Sequence, residues 1–442
     1  MRQVLWVVLL ALFCPKEVNG RNVNKNADTL RLSLAGVWKM AEEHSRALKI
    51  SDQEVRISHE EVKDLVMERL PEIGLSGSYE RASNIPIYDK GLLKAPSYHE
   101  VIRNLYRLSG DFYFNIYNGN KLNLHIREEK TRHEIALIRR DETASGIRYR
   151  AAALYLELQK LFVFSGLITQ DIAEKDKQLQ EVKAFRREGT ALGNDVLKAE
   201  FDLSNRKLLQ VQIENDIRIA TQKLNILIGE PDATVLVPDK MEDSLQAMPG
   251  TYEDYLKEAF EHSFSYHISE QKVHLSELHL RQVRANVRPK IGLTGEFYYM
   301  NPQIFLFPYN PYWYSLGLAG LKASFPVSAL YHNIHKQRAA RFEIEKEHEA
   351  HREEEDNIRQ QVNEVYLTYR EELVAIEVSR VNVARAEENA RIMKQNYFNQ
   401  TALITDLLDA DVQVLQARFE LASARIEAQN QYYLLRYITG KL

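Results

Sequence analysis

Residues 71–77 read Pro-Glu-Ile-Gly-Leu-Ser-Gly, and residues 289–295 read Pro-Lys-Ile-Gly-Leu-Thr-Gly. The two segments are 289 − 71 = 218 residues apart, and the same offset takes Ser45 onto Ser263. Repetition at a fixed offset is the signature of an internal duplication. The chain is therefore predicted to contain two copies of one structural unit.

The two repeats have the same predicted order of elements. Each begins with a helix of about 40 residues and continues with two strands and a long helical stretch that is broken once. The first predicted repeat covers 21–228, with strands near 72–81 and 108–117 and long helices 120–188 and 194–228. A linker, 229–250, follows it. The second predicted repeat covers 251–442, with strands near 290–299 and 312–321 and long helices 328–398 and 405–438.

The long helical stretches contain no proline from 120 to 228 or from 328 to 442. Apolar residues recur in them at alternating spacings of three and four, as in Ile213, Ile217, Ala220, Leu224 and Leu227. That spacing is the seam of supercoiled helices. Each repeat is therefore predicted to form a long antiparallel helical hairpin, with Gly189 in the turn of the first and Thr401 in the turn of the second.

The four predicted strands alternate apolar and polar residues, as the strands of a membrane barrel do. The side chains predicted to face lipid are Ile73, Leu75, Tyr79, Phe112, Phe114, Ile116, Ile291, Leu293, Phe297, Tyr314 and Leu316. Aromatic residues near the loop ends, which include Tyr298, Tyr299, Tyr309, Tyr312 and Trp313, resemble the girdle at a lipid interface. An ordinary sheet with one solvated face is the alternative.

The number of strands has a consequence for assembly. Four strands cannot close a membrane barrel, because the smallest barrels have about 8. In lipid, an open sheet edge leaves backbone groups without hydrogen-bond partners. If these strands lie in a membrane, several chains must share one barrel.

The first 20 residues are predicted to be a secretory signal peptide, because Arg2 precedes the apolar run Val4–Phe13 and the small Gly20 marks a cleavage site. The single cysteine, Cys14, lies in this segment, and lipidation of Cys14 is the alternative. No run of 18 apolar residues follows, which predicts no transmembrane helix. The net charge of -4 gives no indication of nucleic-acid binding.

The duplication, the paired strands and the long hairpins together resemble the TolC-type outer-membrane efflux protein family. The best local match is the turn that begins at Tyr397 and ends in Asp406-Leu407-Leu408-Asp409-Ala410. The resemblance implies a mainly α fold with membrane β-strands, in which three protomers share one barrel of about 12 strands above an α-helical tunnel. It also implies that the protein is the exit duct of a tripartite efflux or type I secretion system. Such a duct is a passive conduit, and a periplasmic adaptor and an inner-membrane transporter open it.

The resemblance also assigns roles near the helix turns. Asp406 and Asp409 are implied to form an acidic ring at the periplasmic entrance, with helix capping by Asp406 as the alternative. Tyr397 is implied to be the entrance gate, with Asn194 and Asp195 as its partners on the other hairpin. Ala402 stands where the family has an arginine that forms part of this latch.

The sequence contains no catalytic signature: it has no HExxH motif, no phosphate-binding glycine loop and no Gly-x-Ser-x-Gly motif. His348 and His351 are spaced to chelate a metal, but exposed charged helices contain such pairs by chance. The chain is predicted to be a non-enzyme without cofactor or metal. The alternative functions are a periplasmic coiled-coil scaffold or adhesin without a pore and, less favoured, a secreted hydrolase.

Overall fold

The computed structural model describes residues 29–240, 250–303 and 310–442. The predicted signal peptide, with Cys14, lies outside these residues, and the predicted linker lies partly outside them.

Each repeat combines short helices, sheet strands and two long helices. The first repeat contains β1 (Thr29–Leu32), α1 (Leu34–His44), α2 (Arg46–Met67), β2 (Glu72–Arg81), β3 (Ile85–Ile87), β4 (Ser97–His99), β5 (Asn104–Tyr117), α3 (Lys121–Arg187) and α4 (Gly193–Ile228). The second repeat is preceded by β6 (Val235–Pro238) and contains α5 (Tyr252–His262), α6 (Phe264–Ala285), β7 (Lys290–Asn301), β8 (Tyr314–Ser324), α7 (Ala329–His332), α8 (Ile334–Phe398) and α9 (Ile404–Ile438).

The leading helix of each repeat is two helices, so the prediction of one helix of about 40 residues is wrong. Ser45 has extended backbone angles, φ -60° and ψ 119°, and its side chain accepts the N–H of Leu48 at the start of α2. Its counterpart Ser263 has φ -62° and ψ 130° between α5 and α6. A serine in this conformation favours the start of a new helix. The break is therefore part of the duplicated unit.

Strands β2, β5, β7 and β8 form one antiparallel sheet in that order. The two repeats join between β5 and β7, where Phe112 lies opposite Gly295. Among the described residues, β2 and β8 pair on one side only and are the edges of the sheet. A separate short hairpin, β3 with β4, lies in the connection from β2 to β5.

The pairing register determines which side chains share a face. Ile73 lies opposite Phe112, and Leu293 lies opposite both Phe114 and Leu321. Because side chains alternate across a strand, one face carries most of the predicted lipid-facing residues, and we call it the apolar face. Its members include Ile73, Leu75, Tyr79, Phe112, Phe114, Ile291, Leu293, Phe297 and Leu321. The opposite, polar face includes Glu72, Ser76, Asp111, Thr294, Glu296 and Lys322.

Tyr314 and Leu316 do not lie on the apolar face, so the prediction that they share one face with the other lipid-facing candidates is wrong. Tyr314 pairs with Met300, and Leu316 pairs with Tyr298, both on the polar face. The sequence pattern was misleading because β8 reads Tyr-Ser-Leu-Gly-Leu-Ala-Gly-Leu-Lys-Ala-Ser, with apolar residues on both faces. The register with β7, which alternates more clearly, decides the orientation.

Ile116 lies at an irregularity of the sheet. Asn115 pairs with Gly292 and Tyr117 pairs with Ile291, so Ile116 has no partner of its own on β7. An extra residue of this kind bends a strand and increases its twist. The irregularity comes at the end of β5 that leads into α3.

The long helices form two antiparallel hairpins, α3 with α4 and α8 with α9. The hairpins meet where α3 packs against α9, which leaves α4 and α8 as the outer helices. At 1.5 Å per residue, the 67 residues of α3 extend about 100 Å. Of the predicted seam residues, Ile213, Ala220 and Leu224 are buried.

Helix α3 contains an 18-residue window that is long and apolar enough to cross a membrane by length and composition. This test admits up to two charged residues, so it is less strict than an uninterrupted apolar run, and the absence of a transmembrane helix after residue 20 stays a prediction. A buried core helix meets the same criterion, and 44% of this window is buried inside the protein. The apolar residues of α3 also pack against α1 and α4, as Leu158 does at 1% exposure.

Helices α4 and α9 end at equivalent glycines. Gly229 and Gly440 have φ angles of 80° and 69°, a left-handed conformation that glycine adopts at no steric cost. A Cβ at Gly229 would lie 2.5 Å from the ring of His44, and a Cβ at Gly440 would overlap the backbone carbonyl of His262. Because these histidines end α1 and α5, each glycine packs the end of a long helix against the end of a short one.

Candidate functional site

The turns of the two helical hairpins share one geometry. Gly189 and Gln400, at equivalent positions, have left-handed φ angles of 79° and 63°. Thr401 then donates its N–H and its hydroxyl to the carbonyl of Asn396, at 2.9 and 3.0 Å. A left-handed residue followed by such a bond is a common way to end a helix. Both hairpins are thus closed by tight turns at the same end of the molecule.

An aspartate caps the helix that follows each turn. Asp195 accepts the N–H of Leu192 at 3.3 Å, and Asp406 accepts the N–H of Leu403 at 3.2 Å. A carboxylate in the first turn satisfies an otherwise unpaired N–H and interacts favourably with the helix dipole. The capping role that the sequence left open for Asp406 is therefore present in the structure. Asn194 is exposed at the start of α4.

Tyr397 connects the second hairpin to the first. Its hydroxyl donates to Asp195 Oδ2 at 3.4 Å, and the residue is 9% exposed. Burial, together with the negative charge of Asp195 and the hydrogen bond to it, raises the pKa of Tyr397 to about 12. The contribution of this contact to stability is present below the ordinary pKa near 10 and is lost as the pH rises through about 12. Tyr397 is therefore a neutral donor at physiological pH.

An apolar cluster surrounds this hydrogen bond. The ring centroids of Phe185 and Phe398 lie 5.1 Å apart across the junction of the hairpins. The buried members of the cluster are Leu179, Val182, Val196, Ala199, Leu203, Tyr397, Ile404 and Leu407. Because they come from both hairpins, apolar packing and the Tyr397–Asp195 bond together hold the two turns side by side.

Asp406 and Asp409 are exposed on α9. Residues three apart lie on one face of a helix, so their carboxylates face the same side. A ring of carboxylates would require the same residues of further copies, and the acidic ring remains a prediction. Ala402, in the position of the family's arginine, is partly buried in the turn and has no charge with which to form a latch.

A buried charge network forms a second junction between the hairpins, and sequence analysis did not identify it. Its members are Asp171 and Lys175 of α3, Asp202 and Arg206 of α4, and Asp411 of α9. Lys175 and Arg206 are 5% and 8% exposed. Burial, opposed by the charges of Arg206 and Lys175, raises the pKa of Asp171. Charged residues buried in this way are rare unless they are paired.

The positions of Lys175 and Arg206 in the apolar spacing of their helices indicate that both cations are buried. Lys175 stands seven residues after Ile168 and seven before Val182, which are both fully buried. Arg206 stands three residues after Leu203 and seven before Ile213. These are seam positions, where coiled helices place apolar residues. A cation at a seam position indicates a buried anionic partner.

Four aromatic rings cross the loop end of the sheet on the apolar face. Tyr79, Tyr106, Trp313 and Tyr299 follow one another with centroid distances of 5.0, 5.7 and 5.0 Å. Their exposed fractions lie between 39% for Tyr106 and 59% for Tyr79. Such a belt is typical of barrels at a membrane interface. Tyr298 faces the polar side instead, and Tyr309 lies outside the described residues.

One member of the histidine pair, His351, is engaged in other contacts. His351 Nδ1 lies 2.7 Å from the hydroxyl of Ser269, and its Nε2 lies 3.9 Å from Glu355. Within the described parts of the chain, no group of three or more His, Cys, Asp and Glu side chains is arranged to hold a metal ion.

Residues 256–441 match the family described as Outer membrane efflux protein. The fold is similar to that of CusC, with a TM-score of 0.79, 13% identity and coverage of 92% of each chain. It is also similar to VceC from Vibrio cholerae, with a TM-score of 0.74, 14% identity and coverage of 92% of this chain and 96% of that one. The CmeC outer membrane channel of Campylobacter jejuni gives a TM-score of 0.76, 12% identity and coverage of 92% and 85%. No curated protein matches the sequence.

Proposed function

We propose, from the match of residues 256–441, that the chain belongs to the outer membrane efflux protein family and is an outer-membrane channel. Its mainly helical fold is the TolC-like fold that the sequence predicts. The sheet lies in the outer membrane and the helical hairpins extend into the periplasm. The chain acts as the passive exit duct of a tripartite efflux or type I secretion system and not as an enzyme.

The observation that carries this proposal is the open sheet. Its apolar face is exposed, with Leu75 at 85% and Ile73 at 75%. In lipid, each unpaired backbone group at an edge costs several kcal/mol, so the edges β2 and β8 need partners. The strands alternate in direction from β2 to β8, so β8 of one copy meets β2 of the next in antiparallel sense. Three copies close a barrel of about 12 strands.

The outer helices support the same assembly. Exposed apolar side chains follow α4, namely Leu197, Phe201, Leu208, Val211, Ile219 and Ile226. A second set follows α8, namely Leu367, Val374, Val378, Val381 and Ile392. Exposed apolar stripes of this length are unusual on a monomer and mark an interface. Packing α4 of one copy against α8 of the next closes a ring of helices beneath the barrel.

The turns form the periplasmic entrance of this channel. Three-fold symmetry brings three copies of Asp406 and Asp409 around the axis, where a ring of carboxylates attracts cations. Tyr397 and Asp195 hold the hairpins together when the entrance is closed. A periplasmic adaptor and an inner-membrane transporter open it by separating the hairpins.

The assembly can be tested on the whole protein expressed in a Gram-negative cell. We expect it in the outer-membrane fraction as a trimer that migrates differently in gels before and after heating. Purified trimer is expected to produce stepwise ion conductance in planar bilayers. A soluble monomer in the periplasm would contradict the channel and favour a scaffold or adhesin without a pore.

We expect Tyr397→Phe to loosen the entrance. The variant keeps the ring in the apolar cluster and loses the hydroxyl that donates to Asp195. A hydrogen bond to a charged group contributes about 1.5–3 kcal/mol, and the 3.4 Å separation places this one at the weak end. Planar-bilayer recordings should therefore show a severalfold higher conductance. Phe398→Tyr, which leaves the bond in place, is the control, and unchanged conductance of Tyr397→Phe would exclude the latch.

A further inference from the structure

We propose that Lys175 is a transferable clamp between the hairpins: it binds Asp411 while the entrance is closed and transfers to Asp202 when α9 moves away. The inference rests on the proposed channel function and adds residues that position its entrance. Asp411 belongs to the second hairpin, whereas Lys175 and Asp202 both belong to the first.

In the structure, Lys175 is bonded across the junction. Its Nζ donates to Asp411 Oδ2 at 2.5 Å and to Gln178 Oε1 at 3.2 Å. Gln178 completes the arrangement, because its Nε2 donates to the same Asp411 oxygen at 3.1 Å. Lys175 and Gln178, each 5% exposed, thus hold one carboxylate of α9 from two sides.

Asp202 is a second acceptor that is already within reach. Its Oδ2 lies 3.3 Å from Lys175 Nζ but accepts no hydrogen bond, although it is buried. A buried ammonium without a partner is strongly unfavourable. If α9 withdrew Asp411, Lys175 would remain paired, because the carboxylate of Asp202 would accept a hydrogen bond from its ammonium group. The second acceptor therefore lowers the barrier to separating the hairpins.

Arg206 makes the exchange possible. Its Nε lies 3.6 Å from Asp202 and 3.3 Å from Asp171, without a hydrogen bond to either. After transfer, Lys175 pairs with Asp202 and Arg206 pairs with Asp171, so each cation keeps one carboxylate. Asp411 is released, and its side chain is already the most exposed of the network, at 22% against 14% or less for the others.

The position of Asp411 connects this exchange to the entrance. It follows Asp409 by two residues and Asp406 by five on the same helix. A rigid helix transmits displacement along its axis, so a movement of α9 that widens the entrance pulls on Asp411. The clamp therefore holds α9 from the side that packs against the first hairpin, whereas Tyr397 holds the turns.

Two isosteric substitutions should shift the open fraction of the channel in opposite directions. Asp411→Asn removes the closed-state partner of Lys175, and we expect the open fraction in planar bilayers to rise about tenfold. Asp202→Asn removes the open-state partner, and we expect the open fraction to fall by a similar factor. Asp176→Asn, which changes an exposed carboxylate beside Lys175, should leave it unchanged. Asp411→Glu keeps the charge and should remain mostly closed, which separates loss of the ion pair from loss of the fold.

Opposite shifts support the clamp, because a purely structural network would move both variants in the same direction. Shifts of the same sign, or none, would overturn it. A double-mutant cycle on thermal unfolding, with Lys175→Met and each aspartate variant, does not depend on conductance. It should give a larger coupling to Asp411 than to Asp202. If the wild-type protein does not conduct at all, the proposed function fails, and the cycle still decides on the pairing, since equal or absent couplings refute the clamp.

Discussion

Replacing Leu321 by lysine should abolish assembly of the protein in the outer membrane, while the same change at Leu318 should be tolerated. Both leucines lie on β8 and are exposed, at 73% and 52%. Leu321 pairs with Leu293 on the apolar face, where a lysine exposed to lipid costs up to about 2–4 kcal/mol per copy. Leu318 pairs with Glu296 on the polar face, so a lysine there gains an opposite charge.

The two leucine variants are compared by the amount of heat-modifiable trimer in the outer-membrane fraction. Leu318→Lys should reach the wild-type level and should reduce the preference of the channel for cations, because its charge faces the lumen. Equal losses in both variants would argue against the apolar and polar faces assigned here. Loss in Leu318→Lys alone would support the orientation predicted from the sequence for Tyr314 and Leu316.

Gly440→Ala should destabilise the protein by about 3 kcal/mol. An alanine at its φ of 69° costs about 1–2 kcal/mol. Its Cβ would overlap the backbone carbonyl of His262, and relieving such crowding adds about 1–3 kcal/mol because the backbone has to move. Thermal unfolding of the purified protein should show this loss as a lower midpoint temperature than that of the wild type.

Gly229→Ala is the matched control for this change. The conformation of Gly229 is nearly the same, but its added Cβ would meet the ring of His44, which can rotate, and the His44 Cβ at 2.8 Å, a milder overlap than that with the His262 carbonyl. The fall in the thermal midpoint should therefore be smaller than for Gly440→Ala. A fall of the same size in both variants would mean that the left-handed φ, and not the contact with His262, dominates the cost.

The sequence was sufficient to predict the duplication, the long hairpins and a four-stranded sheet, because their signals are long and periodic. The orientation of β8 was harder, since Leu316, Leu318 and Leu321 fall on both faces of the strand. One shift of register moves every side chain to the other face, and only pairing with β7 fixes it. For this reason Tyr314 and Leu316 were assigned to the wrong face.

The helix breaks show a different difficulty. No glycine or proline marks Ser45 or Ser263, so a pattern of apolar spacing continues through both positions. Serine is tolerated inside helices as well as at caps, and only tertiary packing decides between the two. The offset of 218 between the two serines was visible in the sequence, and in combination with their capping preference it was the available signal.

The two junctions of the candidate site also differ in how far the sequence reveals them. Tyr397 and Asp195 come together as the family resemblance implied, at 3.4 Å. The buried charge network was missed because Lys175 and Asp411 are 236 residues apart and each occurs in a strongly charged helix. The apolar spacing on either side of Lys175 and Arg206 indicates that these cations are buried. It does not indicate which carboxylates pair with them.

The hairpin of β3 and β4 has a consequence for the far end of the proposed channel. The connection from β2 to β5 spans residues 82–103, whereas that from β7 to β8 spans residues 302–313. In a trimer, large and small lobes would alternate around the rim that faces the surroundings of the cell. Leu92 and Leu93, 84% and 103% exposed, lie on the large lobes. Any large molecule that approached the channel from outside the cell would therefore meet these lobes first, in three equivalent copies.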